Sequence, residues 1–242
     1  MSEATPHSTA IALLQRNSLA TLVQAEIEKR ILDGSLPAGG KLTEAAIAER
    51  LGVSRGPVRE AFRMLDEAGL VQTEKNRGVF VRSVSLQEAL EIFELRALLE
   101  QHVGAKAAEV ATPADVRALK ALLRDMAQAA RDGDMDAYHR LNLGFHDRLF
   151  ALAGNRKLTD TYQRLVKELS LFRRQNLSAE SMRRYTAEHR DIVKHIAAGD
   201  AQAAGQAMYR HVMGSRERTL ENYRRQHGEP GPAAASVPPP QS

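Results

Sequence analysis

The chain is predicted to be mainly α: an N-terminal winged helix-turn-helix with a small β-hairpin, followed by an all-α helical bundle of six or seven helices. Three observations lead there. The stretch Leu42 to Leu70, LTEAAIAERLGVSRGPVREAFRMLDEAGL, holds two short amphipathic helices hinged at Gly52-Val53-Ser54. Val71 to Glu74 and Val79 to Val81 flank Lys75-Asn76-Arg77-Gly78 and read as a hairpin, the wing. From Leu86 onward the apolar residues recur with helical period, and no strand signal appears.

Residues 1–17 are expected to be disordered, and 18–84 to form the first domain. Between Ser18 and Gly34 lies the first helix, with Leu19, Leu22, Val23, Ile27 and Ile31 on one stripe. Thr43 is placed to N-cap the second helix, with Leu42 and Ile47 spaced to staple its first turn. Gly52 supplies the left-handed residue that ends it. Ser54 caps the third helix, which tolerates Pro57 because first-turn N–H groups have no intrahelical partner to lose. On that helix Val58, Ala61, Phe62, Leu65 and Ala68 share one face, while Arg55, Arg59 and Arg63 run down another. Gly69 ends it.

The bundle is expected over 85–225, with helices from Leu86 to about Val110, Pro113 to Arg131, Met135 to Ala153, Asn155 to Asn176, Ala179 to Ala198, and Ala201 to about Tyr223. Its punctuation is explicit. Thr112-Pro113 starts one helix, Asp132-Gly133-Asp134 stops one and caps the next, Gly154 ends another, and Gly199-Asp200 repeats the stop and cap. The tail, 226–242, is rich in Pro, Ala and Ser, cannot bury a core, and is expected to be disordered.

A helix that packs one face and lines the other with guanidinium groups is suited to a duplex. The arginine fork matches phosphate oxygens or the O6/N7 edge of guanine, and a helix N-terminus adds backbone donors. The candidate DNA contacts are Thr43, Ser54, Arg55, Gly56, Arg59 and Arg63, with Arg77 and Gly78 at the hairpin tip for the minor groove or a phosphate. The competing reading, a solvated face on which Arg59 and Arg63 pair with Glu60 and Glu67, is kept for Arg63 only.

Charge placement carries this inference more than charge total. The chain has a formal charge of +4 and a pI near 9.5, yet Leu19 to Val84 holds nearly as many acidic as basic residues. The absence of cysteine excludes disulfides, thiolate metal sites and a cysteine nucleophile, and suits a reducing compartment. No apolar run approaches the ~20 residues that span a bilayer, and the N-terminus lacks the basic-then-apolar order of a secretion signal. A cytoplasmic location with no membrane partner is the expectation.

The bundle carries polar residues on its apolar stripes. Asn142 and His146 sit among Tyr138, Leu141, Phe145 and Leu149; His189 interrupts Met182, Tyr185, Ile192 and Ile196; His211 is enclosed by Ala204, Ala207, Met208 and Val212. Three helices thus each direct an imidazole inward. Neutral imidazole nitrogens with an amide or carboxylate oxygen suit a borderline divalent metal, and a bundle core is a natural place to gather them. Taken singly, each reads first as a core histidine satisfied by hydrogen bonds, and the three together outweigh that reading. His139 competes with Asn142 for the fourth position, and His195 lies on a different face.

LTEAAIAERLGVSRGPVREAFRMLDEAGLV and the hairpin ending NRGVFV resemble the winged-helix domain of the GntR family of bacterial transcription regulators. FELRALLEQHVGAKAAE, NLGFHDRLFALAGN, EHRDIVKHIAAGD and MYRHV resemble the FCD ligand-binding domain of its FadR subfamily, and the likeness runs from about Ser18 to Tyr223. The resemblance implies a homodimer that binds a short palindromic operator in double-stranded DNA, more often as a repressor. It also implies a small organic acid effector bound in the bundle, and a zinc or nickel ion held by the positions matching Asn142, His146, His189 and His211. Arg96 resembles a family arginine near the effector pocket and is suited to clamp a carboxylate, or else to pair with Glu100 on its own helix. Tyr138 and Tyr185 are the other candidate effector contacts. Two departures stand out: Ala45 follows Glu44 where the family often has arginine, and Asn142 is neutral where many relatives have aspartate, which weakens the hold on a metal.

Two other readings follow from the histidines. In a metal-dependent hydrolase the three-histidine site activates water. Against it, the chain has no HExxH, and Glu188, beside His189, is expected to point off the ligand face. In a metal sensor the ion itself is the effector.

Overall fold

The computed structural model of the protein describes residues 19–172 and 179–228. The expected disorder of 1–17, the helix end at Asn176 and most of the expected tail lie outside these residues. They divide into two compact units: residues to Val84 together with Val166–Phe172, and Ser85–Leu165 together with the residues from Arg173 on.

The first unit contains α1 (Leu19–Leu32), β1 (Lys41–Leu42), α2 (Glu44–Leu51), α3 (Arg55–Glu67), β2 (Val71–Glu74) and β3 (Gly78–Val81). Its core gathers Val23, Ile27 and Ile31 of α1, Ile47 of α2, and Val58, Phe62 and Leu65 of α3, with Leu171 of the Val166–Phe172 segment packed against it. Leu19 and Leu22 leave the expected stripe and are 48% and 53% exposed. The buried line of α1 is the narrower one of residues four apart. The hairpin pairs Val71 with Val81 and Glu74 with Gly78, and the chain turns through left-handed Asn76 at φ 63° and Gly78 at φ 112°.

Sequence reading missed β1. It pairs antiparallel with β3, Lys41 against Phe80 and Leu42 against Val79, giving a three-stranded sheet of order β1-β3-β2. Two residues are too few to show alternation, so only their partner reveals the strand.

The second unit is built from α4 (Leu86–Val110), α5 (Pro113–Asp132), α6 (Met135–Ala153), most of α7 (Arg156–Phe172), α8 (Ala179–Ala197) and α9 (Ala201–His227). Each stop read from the sequence has a local cause. Thr112 and Asp115 form a reciprocal capping box, Asp134 and Asp200 accept from the backbone of the third residue on, and Gly133, Gly154 and Gly199 adopt left-handed φ of 70°, 68° and 69°. Asn155 lies outside α7 and caps it, its Oδ1 accepting from Leu158 N at 3.2 Å. Gln226 and His227, expected in the tail, form the end of α9. No described helix is long and apolar enough to cross a membrane.

The most extensive pairing in this unit sets α4 against α9. Gly104 allows the close approach: a Cβ there would lie 2.6 Å from Met208 Cγ and 3.0 Å from the Ala204 carbonyl oxygen. Gly104→Ala is therefore expected to push the helices apart and destabilise the fold by about 1–3 kcal/mol, the usual cost of overpacking. Differential scanning calorimetry should show the melting temperature falling by several degrees, at roughly 2–4 °C per kcal/mol for a chain of this size.

Candidate DNA-reading surface and metal centre

The candidate reading surface lies where α2 and α3 meet. Thr43 Oγ1 accepts from Ala46 N at 3.3 Å and holds the start of α2. Ser54 occupies the N-cap position of α3 in extended conformation, but its hydroxyl makes no cap bond, so the sequence expectation that it caps holds for position and not for bonding. That leaves an exposed hydroxyl beside the first N–H groups of α3. Gly56 is exposed, and a Cβ there would meet nothing within 4 Å, so packing does not require a glycine at this position.

The three arginines of α3 differ. Arg55 is exposed and makes no hydrogen bond or ion pair among the described residues. Arg59 does not pair with Glu60. It crosses to α2 and grips Glu44, Nε to Oε1 at 2.7 Å and Nη2 to Oε2 at 2.8 Å. This fork lowers the Glu44 pKa and raises that of Arg59, while Arg59 stays 72% exposed. Arg63 is held on its own helix by Glu60 and Glu67, the arrangement expected of a solvated face.

At the wing, Arg77 pairs with Glu74 and lies 5.5 Å from the Phe80 ring centre, and Lys41 Nζ lies 5.8 Å from the same ring. Sequence reasoning missed Lys41. Its place beside the wing comes from β1, which pairing alone reveals.

In the helical unit, α6, α8 and α9 bring His146, His189 and His211 together. All three are buried, and one ring nitrogen from each lies within 4.8 Å of the others. Two imidazoles on one ion with bonds of about 2.1 Å sit at most ~4 Å apart, so the set needs only a small contraction. His189 is fully enclosed, and neither of its nitrogens has a protein hydrogen-bond partner. A satisfied core histidine would have one. The Phe145 ring, 4.5 Å away, fixes its plane. These donors fit a divalent metal. Asn142 is half-buried one turn before His146, whereas His139 is exposed and so is not its competitor. His195 is half-buried beside Asp191, 3.4 Å away.

Two carboxylates complete the cluster, and neither was assigned a part in it by sequence reading. Glu100 of α4 lies with Oε2 2.8 Å from His146 Nδ1, and its Oε1 accepts from Arg96 Nε at 3.0 Å and Nη2 at 2.6 Å. Burial alone would raise its pKa, but the Arg96 guanidinium and the neighbouring imidazoles outweigh burial and hold it at about 2. Glu188 was expected to point off the ligand face. Instead its Oε2 accepts from His211 Nδ1 at 2.8 Å, and Arg218 donates to both its oxygens at 2.8 and 3.1 Å. The reason is that His211 comes from α9, the helix packed beside α8, rather than from α8 itself.

Of the candidate effector contacts, Arg96 is buried and committed to Glu100. The Tyr138 hydroxyl donates to the Met182 carbonyl at 2.9 Å, and burial pushes its pKa up to about 12. Tyr185 is half-buried, with Arg218 4.3 Å over its ring and His211 5.9 Å away. A separate basic cleft of about 440 Å³, lined by Lys120, Arg124, Arg131 and Arg190 over Leu123 and Ala127, contains none of the histidines.

Burial drives His189 well below the ordinary imidazole pKa, helped by His211 and His146, and lowers His211 despite Glu188. Both rings are neutral in the folded state and gain protons on unfolding below pH ~6.5. The unfolded chain then binds more protons, so stability rises with pH through this window and is lost as pH falls below ~6.5. Melting temperatures of the metal-free protein between pH ~7 and ~5 should fall accordingly; a flat profile would contradict burial of neutral rings.

Comparison with known proteins agrees with this anatomy. Residues 19–81 match the family of bacterial regulatory proteins, gntR family, and residues 91–214 match the FCD domain. The chain is 30% identical over 199 residues to the "Probable D-xylose utilization operon transcriptional repressor" of Paenarthrobacter nicotinovorans, covering 82% of this chain and 88% of that one. It is 29% identical over 175 residues to the HTH-type transcriptional repressor RspR of Escherichia coli K12, covering 72% and 77%. Among solved structures, a GntR regulator from Rhodococcus sp. RHA1 aligns with a TM-score of 0.68 at 27% identity, over 85% of this chain and 99% of that one. For E. coli McbR/YncC the TM-score is 0.73 at 22% identity, over 85% and 99%, a likeness of fold. These matches are to transcription regulators and set aside the hydrolase reading. The chain belongs to the GntR family of bacterial transcription regulators and carries an FCD domain behind its winged helix-turn-helix.

Proposed function

We propose that the protein is a repressor that binds a palindromic operator as a homodimer and is controlled by a small organic acid that enters the helical bundle beside a bound divalent metal. The observation that carries this reading is the convergence of His146, His189 and His211, with His189 buried and unpartnered. Those three histidines and Asn142 would hold zinc or nickel, and such an ion supplies Lewis-acid attraction for an effector carboxylate. The chain's own part is to enclose the three rings and, by burial, to favour the neutral form of His189 and His211. On the DNA side, Thr43, Ser54, Arg55, Gly56 and Arg59 meet the duplex, with Arg77 and Gly78 at the wing. Relatives named as repressors support the sign of regulation.

Effector binding acts by linkage: operator affinity changes by the effector's preference between DNA-bound and free protein. The test is fluorescence anisotropy with the protein's own promoter fragment, with and without Zn²⁺ or Ni²⁺, and with acetate, lactate or citrate added. A carboxylate that shifts operator affinity only in the metal-loaded protein supports the reading. A shift caused by the ion alone favours a metal sensor.

A further inference from the structure

We infer that Glu100 and Glu188 are positioning residues of the metal centre: each faces the Nδ1–H of one histidine, His146 and His211 respectively, as its acceptor, and so commits the Nε2 of that ring to the ion. This rests on the metal reading proposed above. Each carboxylate lies 2.8 Å from its imidazole nitrogen and is gripped by an arginine of its own, Arg96 or Arg218; the Glu188–His211 contact is a hydrogen bond, whereas Glu100 Oε2 and His146 Nδ1 approach without hydrogen-bond alignment.

The repetition has a physical purpose. A buried Arg–Glu pair gains little stability over well-packed apolar residues, because desolvating two charges offsets their attraction. Arg96 and Glu100 are 7% and 0% exposed at the side chain, so this pair bears that cost in full. What an apolar pair cannot provide is an anionic acceptor that fixes the tautomer and plane of a ligand imidazole and increases its basicity. The arginine in turn keeps the carboxylate ionised and in place. With Asn142 a neutral ligand, the four coordinating groups bring no charge, and Glu100 and Glu188 each place a carboxylate 2.8 Å from a ligand ring.

The two sides differ in exposure. Arg96, Glu100 and His146 are sealed, whereas Glu188 is 25% exposed and Arg218 11%. His189 has no carboxylate and is packed between the rings of Phe145, 4.5 Å away, and His211, 4.4 Å away.

The test compares the full-length protein with Glu188→Gln and Glu100→Gln by competition with a chromophoric chelator for Zn²⁺. Each substitution is expected to weaken zinc binding about 10- to 100-fold, the usual effect of removing an outer partner of a ligand histidine. The ligand-field band of bound Co²⁺ should shift as well, a signature that a merely structural role would leave unmoved. The melting temperature of the metal-free protein reports folding. Glu188→Gln is the decisive variant if Glu100→Gln fails to fold, because its side chain reaches solvent. Wild-type affinity and an unchanged Co²⁺ spectrum in Glu188→Gln overturn the positioning role while leaving the metal reading intact. A wild-type protein that takes up neither zinc nor cobalt overturns both.

Discussion

The Arg55→Ala/Arg59→Ala double variant is expected to bind operator at least about 30-fold more weakly than the parent protein. Each forked contact to a base or phosphate is worth about 1–3 kcal/mol, and two of them at the low end already give that factor. Arg59 carries a further consequence. Glu44 holds it by both oxygens, so removing the guanidinium leaves an unpaired carboxylate on the proposed reading surface, where it would repel phosphates. Arg59→Ala should therefore cost more than Arg55→Ala, and Glu44→Ala in the Arg59→Ala background should recover part of the loss. Arg63→Ala should change affinity little, because Arg63 lies further down α3 than Arg55 and Arg59 and pairs with Glu60 and Glu67 of its own helix. The salt dependence separates contact types: losing a phosphate contact flattens the slope of log affinity against log salt by about one unit, and losing a base contact does not. Undiminished binding by the double variant would sink the proposed orientation of α3 on DNA.

His189→Leu is expected to have opposite effects on metal binding and on stability. Zinc affinity should fall by more than the roughly 10- to 100-fold typical of losing an outer partner, since a coordinating atom is gone. The metal-free protein should become more stable, because a buried polar ring with no protein partner costs about 1–3 kcal/mol that an apolar side chain of similar volume does not. Metal titration and thermal melting of the metal-free protein measure the two effects. A variant that melts lower than the parent would mean that His189 is a hydrogen-bonded core histidine, and the metal reading would lose its main support. The same substitution should also reduce the loss of stability between pH ~7 and ~5, as one of the two depressed imidazoles is removed.

Much of the fold was legible because it is written in short-range signals. Thr43, Gly52, Gly69, Asp134, Gly154 and Asp200 act on backbone groups within about one turn of themselves, and the stripes of α3 and α6 repeat within single helices. The misses share one cause. β1 exists only through its pairing with β3, Leu19 and Leu22 stay exposed among the described residues, and α9 runs past the expected end at Tyr223. Periodicity ranks the faces of a helix; it does not say what lies opposite.

The same division runs through the site. His146, His189 and His211 could be chosen from the sequence because each breaks an apolar stripe, and a polar residue on such a stripe must be satisfied by something. That Glu100 joins His146, or Glu188 joins His211, had no comparable signal. Glu100 looked like the helical partner of Arg96, and Glu188 looked solvent-facing beside His189, yet both lie 2.8 Å from an imidazole on another helix.

The sequence by itself determined the two-part helical plan, the reading helix with its arginines and the three inward histidines, all consequences of interactions within about four residues along the chain. Only the tertiary structure decided which groups meet: Arg59 with Glu44 across the hinge, three imidazoles from α6, α8 and α9, and a carboxylate behind two of them. The physical reason is that helix packing brings together residues tens of positions apart, and the angle and spacing of that packing are set jointly by every side chain in the interface, Gly104 against Met208 among them.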